Sequence, residues 1–226
     1  MFDEMRSFYL KSLPVFRSLT EPQLREIGSL VKFKQVYRGE TINYGSGEFS
    51  KIYFVIKGKI KLTELDEFDN ELVKDILNDG EVFGDLELEG DAKNDEFAEA
   101  LTANTIVCHF NVGDFKKIVE ANPLIALNYA KKVSLKLKRL EDRHADLVFR
   151  DAKARLIRFI KNWARTDGNK VGDKIILNNY LTHSDIAGFI STSRQSVNVL
   201  LNELRDSGML YYNRKKIELN DPMVWN

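Results

Sequence analysis

The chain has 226 residues, 43% hydrophobic and 30% charged, with 34 Lys and Arg against 34 Asp and Glu. That is too apolar for a disordered chain and long enough for two modest cores. No apolar run reaches the roughly 20 residues of a membrane span. The opening MFDEMRSFYLKSLP lacks the basic-then-apolar order of a secretory signal, and the single Cys108 excludes an internal disulfide framework and any cluster held by cysteines of one chain. A cytoplasmic protein with no membrane partner is expected. The zero net charge conceals a division: residues 1–147 carry 21 basic and 26 acidic side chains, residues 148–226 carry 13 and 8. The carboxy-terminal part alone is electrostatically suited to a polyanion.

An amphipathic helix is expected from Glu21 to Phe33, after which the apolar spacing changes from helical to alternating. Ile52, Phe54 and Ile56 alternate with Tyr53 and Val55; Ile60, Leu62 and Leu65 resume after Lys57-Gly58, which reads as a hairpin. Segments Glu71–Leu77, Glu81–Phe83 and Phe97–Phe110, separated by the turn signals Asp69-Asn70 and Asn78-Asp79-Gly80, complete a small antiparallel barrel or roll. Cys108 and His109 adjoin in the last segment, where alternation sends one inward and the other outward, so they cannot readily chelate one metal together. Cys108 is expected to be a buried structural residue.

Pro123 opens a helix that nothing breaks until about Arg150. Along it Ala126, Ala130, Val133, Leu137, Leu140, His144 and Leu147 recur at alternating steps of four and three, with Lys131, Lys132, Lys136, Lys138, Arg139, Glu141 and Asp142 off that line. Such a helix either packs on its own roll or forms a dimer seam. The run exceeds what one small roll covers, and a 3.5-residue repeat specifies a partner helix, so a homodimer is expected. His144 is read as an interface residue, since no second ligand stands three or four residues away. Another amphipathic helix follows over Asp151–Ala164, stopped by Thr166-Asp167-Gly168-Asn169.

The stretch Leu181–Leu219, LTHSDIAGFISTSRQSVNVLLNELRDSGMLYYNRKKIEL, carries the chemistry. Thr182 with Asp185 resembles a capping box and opens a helix whose Ile186, Ala187 and Ile190 face inward. The helix ends near Ser191. Thr192 or Ser193 can cap a second helix with an apolar stripe of Val197, Leu200, Leu201 and Leu204; Arg194, Gln195, Asn198 and Asn202 lie off it. Gly208 ends that helix, and Met209–Tyr212 pairs with Lys216–Leu219 across Asn213-Arg214-Lys215 as a basic wing. Arginine bonds bidentately to guanine and glutamine or asparagine to adenine, so Arg194, Gln195 and Asn198 are the expected base readers. Thr182, Ser193, Ser196, Arg214 and Lys215 supply hydroxyl and cationic donors suited to phosphates.

These residues resemble the superfamily that contains the catabolite activator (cyclic-AMP receptor protein) and the fumarate-nitrate regulator. The likeness runs through RGETI at Arg38, IYFVIKGKIKL at Ile52, GEVFGDLEL at Gly80, the helix after Asn122-Pro123, and DIAGFISTSRQSVNVLLNEL. It implies that Arg194 and Gln195 stand on base-contacting positions and Thr182 on a phosphate-contacting one. It also implies an α+β chain: a β-roll, cyclic-nucleotide-binding-like sensor domain over 1–122, a dimerisation helix and hinge over 123–149, and a winged helix-turn-helix over 150–226. Two features of the reading helix pair depart from the family. Ser191 stands where glycine is usual at the turn, and Gln195 replaces a common glutamate, so the family's commonest half-site is not assumed.

In the sensor, members that bind a cyclic nucleotide hold its phosphate with an arginine and a serine or threonine. Here the stretch is FGDLELEGDAKNDEFAEA, with Asn94 and Asp95 at those positions. From Glu64 to Glu99 there are 15 acidic residues against Lys74 and Lys93, which repels an anion, so cyclic AMP is not an expected effector. Gly84, Asp85 and Leu86, with Asn94 and Asp95, line a vestigial or repurposed pocket or form a structural turn. The superfamily's four-cysteine oxygen sensor is absent, and no cofactor is expected.

The chain is thus read as a dimeric, sequence-specific DNA-binding transcription regulator of a pseudo-palindromic site on double-stranded DNA, with RNA polymerase as a further partner if it activates. The alternative is a degenerate sensor acting as a protein-interaction module with weak or no DNA binding. An enzyme is not expected: His109, His144 and His183 have no nucleophile or metal spacing, and no glycine-rich phosphate loop occurs.

Overall fold

The computed structural model describes residues 2–43, 50–65, 67, 71–88 and 96–220. The chain forms two compact units, Met1–Arg139 and Leu140–Asn226.

In the first unit, helices α1 (Phe2–Ser12) and α2 (Glu21–Leu30) precede strands β1 (Lys32–Val36), β2 (Thr41–Asn43), β3 (Lys51–Lys57), β4 (Ile60–Leu65), β5 (Glu71–Leu77), β6 (Val82–Gly84), β7 (Glu96–Ala100) and β8 (Thr105–Asn111). Helices α3 (Val112–Ala121) and α4 (Pro123–Phe149) follow. The strands make two antiparallel four-stranded sheets, in the orders β1-β8-β3-β6 and β2-β7-β4-β5. Tyr53, Val55, Ile60, Leu62, Leu77, Phe83 and Val107 are buried together in one cluster. Ile52, Phe54, Cys108 and Phe110 belong to another, with Phe16 of the turn between α1 and α2 and Phe115 of α3. The first sheet is therefore covered on both faces, which is why β3 is apolar at five successive positions. Cys108 and His109 do lie on opposite faces, but neither face is open: His109 is half-buried, its ring 5.1 Å from that of Tyr53.

The structure differs from the sequence expectation at three places. Helix α2 stops at Leu30, because Val31 turns extended (φ −91°, ψ 140°) and Lys32 to Val36 pair with β8. Segments β3 and β4 are not a hairpin: β3 pairs with β6 and β8, and β4 pairs with β5 and β7. Lys57-Gly58 is instead a corner where the chain changes sheet. The expected strand Phe97–Phe110 also breaks, between β7 and β8, at a second corner lying against the first. Leu101 N–H donates to Lys59 O at 2.9 Å and Lys59 N–H to Thr102 Oγ1 at 3.1 Å. Gly58 holds φ +103°, and a Cβ there would stand 2.5 Å from Thr105 Oγ1.

The second unit holds the end of α4, then α5 (Ala152–Asp167), β9 (Asn169–Val171), β10 (Lys174–Asn178), α6 (His183–Ile190), α7 (Arg194–Asp206), β11 (Leu210–Tyr212) and β12 (Lys216–Asn220). Leu156, Ile160 and Trp163 of α5, Ile186 and Ile190 of α6, Val197, Leu201 and Leu204 of α7, and Ile217 and Leu219 of β12 are all buried. The wing is larger than the sequence suggests: β9 and β10 join it in the order β11-β12-β10-β9, with Ile175 opposite Leu219 and Leu177 opposite Ile217. Among the described residues no helix is long and apolar enough to cross a membrane.

Candidate nucleic-acid interface

Helices α6 and α7 are built from local signals. Thr182 Oγ1 accepts from Asp185 N–H at 3.1 Å, while the Asp185 carboxylate accepts from Thr182 N–H at 2.8 Å and from the Thr182 hydroxyl at 2.7 Å. This reciprocal cap satisfies donors that the first turn of α6 cannot satisfy internally, and a cap of this kind is worth about 1 kcal/mol. The Thr182 hydroxyl proton is thereby engaged within the protein. The chain then reverses at Ser191, which adopts the left-handed conformation (φ 54°, ψ 61°). Ser193 caps α7 by accepting from Ser196 N–H at 3.0 Å, and the Ser193 and Ser196 hydroxyls lie 2.9 Å apart.

Arg155 holds the turn from outside the helix pair. Its Nε donates to Ile190 O at 2.8 Å and its Nη2 to Ser191 O at 3.1 Å, so one guanidinium satisfies carbonyls at the end of α6. Arg143 adds a contact from α4, donating to Phe189 O at 3.1 Å with its guanidinium carbon 4.2 Å from the Phe189 ring centre. Neither arginine was a sequence candidate. The only trace each leaves is a cation on a helix that otherwise looks self-sufficient.

Of the expected base readers, Arg194, Gln195 and Asn198 are all exposed. Their side chains make no hydrogen bond among the described residues, so their donors and acceptors are free for a base edge. Asn202 differs: its Oδ1 accepts from Tyr212 OH at 3.1 Å and ties α7 to β11. Arg214 and Lys215 are exposed at the wing tip. Asn213 Oδ1 shapes that tip by accepting from the Lys215 and Lys216 N–H groups at 2.8 and 3.0 Å. His183, first residue of α6, is half-buried with its ring 5.7 Å from Tyr212; burial and then the nearby Arg194 lower its pKa.

Of the expected effector residues, Gly84, Asp85 and Leu86 sit in a tight turn of the first unit. Gly84 has φ +95°, and a Cβ there would fall 2.4 Å from Lys51 O. Asp85 N–H donates to that same carbonyl at 3.0 Å, and the buried Asp85 carboxylate accepts from Leu88 N–H at 3.0 Å. Leu86 O accepts from Tyr129 OH of α4 at 2.7 Å. Asn94 and Asp95 lie outside the described residues. The acidic stretch has more counterweights than Lys74 and Lys93, because the fold brings cations from elsewhere. Lys61 pairs with Glu99 at 2.7 Å, and Arg139 of α4 pairs with Glu81 at 2.6 Å and Asp75 at 3.6 Å. Lys74 itself pairs with Glu64 and Glu96.

Along α4, Ile125 and Tyr129 are buried in the first unit's helical core, and Val133 packs partly against it. Ala126 is half-buried and Ala130 exposed. Farther on, Leu137, Leu140 and Leu147 are 56%, 60% and 47% exposed, and His144 is exposed with them.

Residues 33–122 match the cyclic nucleotide-binding domain family, and residues 154–223 the Crp-like helix-turn-helix domain family. Among known proteins the chain is similar to the global nitrogen regulator of Synechococcus elongatus, 30% identical over 205 residues that cover 88% of this chain and 92% of that one. It is also similar to the cAMP-activated global transcriptional regulator CRP of Salmonella typhimurium, at 22% over 200 residues covering 88% and 94%. Among solved structures, a mutant of CooA from Carboxydothermus hydrogenoformans superposes with a TM-score of 0.72 at 27% identity, covering 87% of each chain. A roll and a winged helix-turn-helix in this order, matched along nearly the whole length, leave one conclusion: the chain belongs to the CRP/FNR superfamily of DNA-binding transcription regulators.

Proposed function

We propose that the protein is a homodimer that reads a pseudo-palindromic site by placing α7 of each protomer in successive major grooves, about 34–36 Å apart. One observation carries this reading: Arg194, Gln195 and Asn198 stand exposed and unengaged at the amino-terminal end of a helix fixed by its own cap and by Arg155. The free guanidinium suits a guanine, and the free amides suit adenines. Ser193, Ser196, Arg214 and Lys215 flank them as phosphate contacts, and Thr182 joins them by turning its hydroxyl from Asp185 to the phosphate. The exposed leucines of α4 supply the dimer seam. RNA polymerase is a further partner if the protein activates.

In the sensor, Asn94 and Asp95 stand where cyclic-nucleotide-binding members carry an arginine and a serine or threonine, which supports an effector other than cyclic AMP. The relatives differ in signal, one being named for nitrogen regulation and another for cAMP activation, so membership alone assigns none.

Genome fragments retained by the purified protein without added ligand, at stated salt, test the reading. A two-fold-related motif is expected; failure to enrich any motif with a dimeric preparation favours the interaction-module alternative. On the selected site, Arg194→Ala is expected to lose about 1–3 kcal/mol of discrimination at one base pair. Lys215→Ala weakens selected and random DNA alike and lowers the salt slope by about one. Equal losses on both DNAs from both variants would remove α7 as the reading helix.

A further inference from the structure

We infer that His183 contacts a DNA phosphate in its imidazolium form, so that DNA binding by this protein takes up protons and tightens as the solution is acidified. The inference rests on the DNA-binding reading of α6 and α7 and adds a proton to it.

The placement comes first. His183 opens α6 directly after Thr182, within the field of Arg194 at the start of the reading helix and beside Tyr212 on β11. Its ring lies 5.7 Å from that of Tyr212 on β11, with 57° between the planes. Tyr212 is held in turn by its hydroxyl's bond to Asn202 on α7, so the imidazole rests against a fixed neighbour. Neither ring nitrogen makes a hydrogen bond among the described residues, although the side chain is half-buried. A half-buried imidazole with both nitrogens unassigned, at the edge of a surface lined by Arg194, is open to an incoming acceptor.

The charges around it settle which form binds. On α7 the facing ionisable group is Arg194, whose positive charge disfavours the imidazolium; on β11 it is Tyr212, a neutral phenol. On α6 itself Asp185 is buried, and its carboxylate accepts from the Thr182 N–H and hydroxyl. Burial, and then Arg194, lower the pKa of free His183 and so disfavour its imidazolium form. A phosphate docking here brings an anion, offsets the field of Arg194 and favours the protonated ring. By linkage, a group that binds its proton more tightly in the complex makes the complex stronger as pH falls toward and through the free group's titration range.

The experiment is fluorescence anisotropy with a labelled random-sequence duplex of about 30 base pairs, long enough for two grooves on one face. Ionic strength is held constant while pH runs from about 7.5 to about 5.5, spanning the usual histidine range. The wild type, His183→Gln and His183→Arg are compared, with circular dichroism confirming the fold of each. The wild type is expected to tighten over this range by about five- to tenfold more than His183→Gln, as one proton per site with a pKa raised on binding requires. His183→Arg carries a permanent charge and should bind more tightly than His183→Gln at the upper pH, with the pH dependence of the Gln variant. His109 and His144 are present in all three proteins and cancel. A His183→Gln dependence within twofold of the wild type, or a His183→Arg variant no tighter than His183→Gln, overturns the inference while leaving DNA binding intact. Absence of binding by all three at every pH overturns the DNA-binding reading and this inference with it.

Discussion

Ser191 is a serine held where glycine is at ease. Its φ of 54° and ψ of 61° set the angle between α6 and α7, and an L side chain there costs about 1–2 kcal/mol. Ser191→Gly is therefore expected to raise stability by about 1 kcal/mol, part of the relieved strain being offset by the greater freedom of glycine in the unfolded chain. Denaturant titration followed by tryptophan fluorescence reads this out, since Trp163 is buried in the same unit; a lowered midpoint would mean that the serine is held by something other than the turn. The caps at Thr182 and Ser193 were legible in the sequence, because donor and acceptor lie three residues apart. Arg155 was not: the carbonyls it binds are 35 and 36 residues away, and a backbone acceptor leaves no mark on residue identity.

At the scale of elements, alternation gave β3 to β6 of the roll, but not β1 or β2, the break between β7 and β8, or the partner of any strand. A period of two states which side chains share a face; it does not say which strand lies alongside. The apolar runs either side of Lys57-Gly58 are equally compatible with a hairpin and with a corner between two sheets. The corner is decided by Gly58, packed against the Thr102 and Thr105 hydroxyls of the second corner. Gly58→Ala is expected to destabilise the roll by about 2 kcal/mol or more, from the positive φ and the contact with Thr105 together. Gly113, with nothing within 4 Å of an added Cβ and an ordinary helical backbone, is the control. Gly113→Ala should be neutral or stabilising by up to about 1 kcal/mol. Thermal unfolding of the two variants checks both, and equal midpoints would remove the corner from the account. The strands β9 and β10 escaped notice because Ile175 and Leu177 are too few to register as a strand until Leu219 and Ile217 stand opposite.

For the whole molecule the decisive question is what covers α4. Ile125 and Tyr129 are spent on the first unit's own core, whereas Leu137, Leu140 and Leu147 are left exposed. A Leu137→Asp/Leu140→Asp double variant is expected to sediment as a monomer and to keep the helical content of the wild type, because neither side chain belongs to a core of its own chain. Losing the link between half-sites should weaken binding to a two-half-site duplex by about 10²-fold or more. A variant that still sediments as a dimer would place the seam elsewhere.

Sequence alone determined the helix-turn-helix, its caps, its free polar residues and the heptad line of α4, all of which depend on residues within about two turns of one another. The basic character of the last 79 residues was equally visible, since charge is additive along the chain. Tertiary structure alone decided which sheet each strand joins and which cations meet the acidic stretch. Lys61 and Arg139, outside that stretch, reach Glu99, Glu81 and Asp75 only after folding, because Coulomb attraction acts over distance in space and takes no account of separation in sequence.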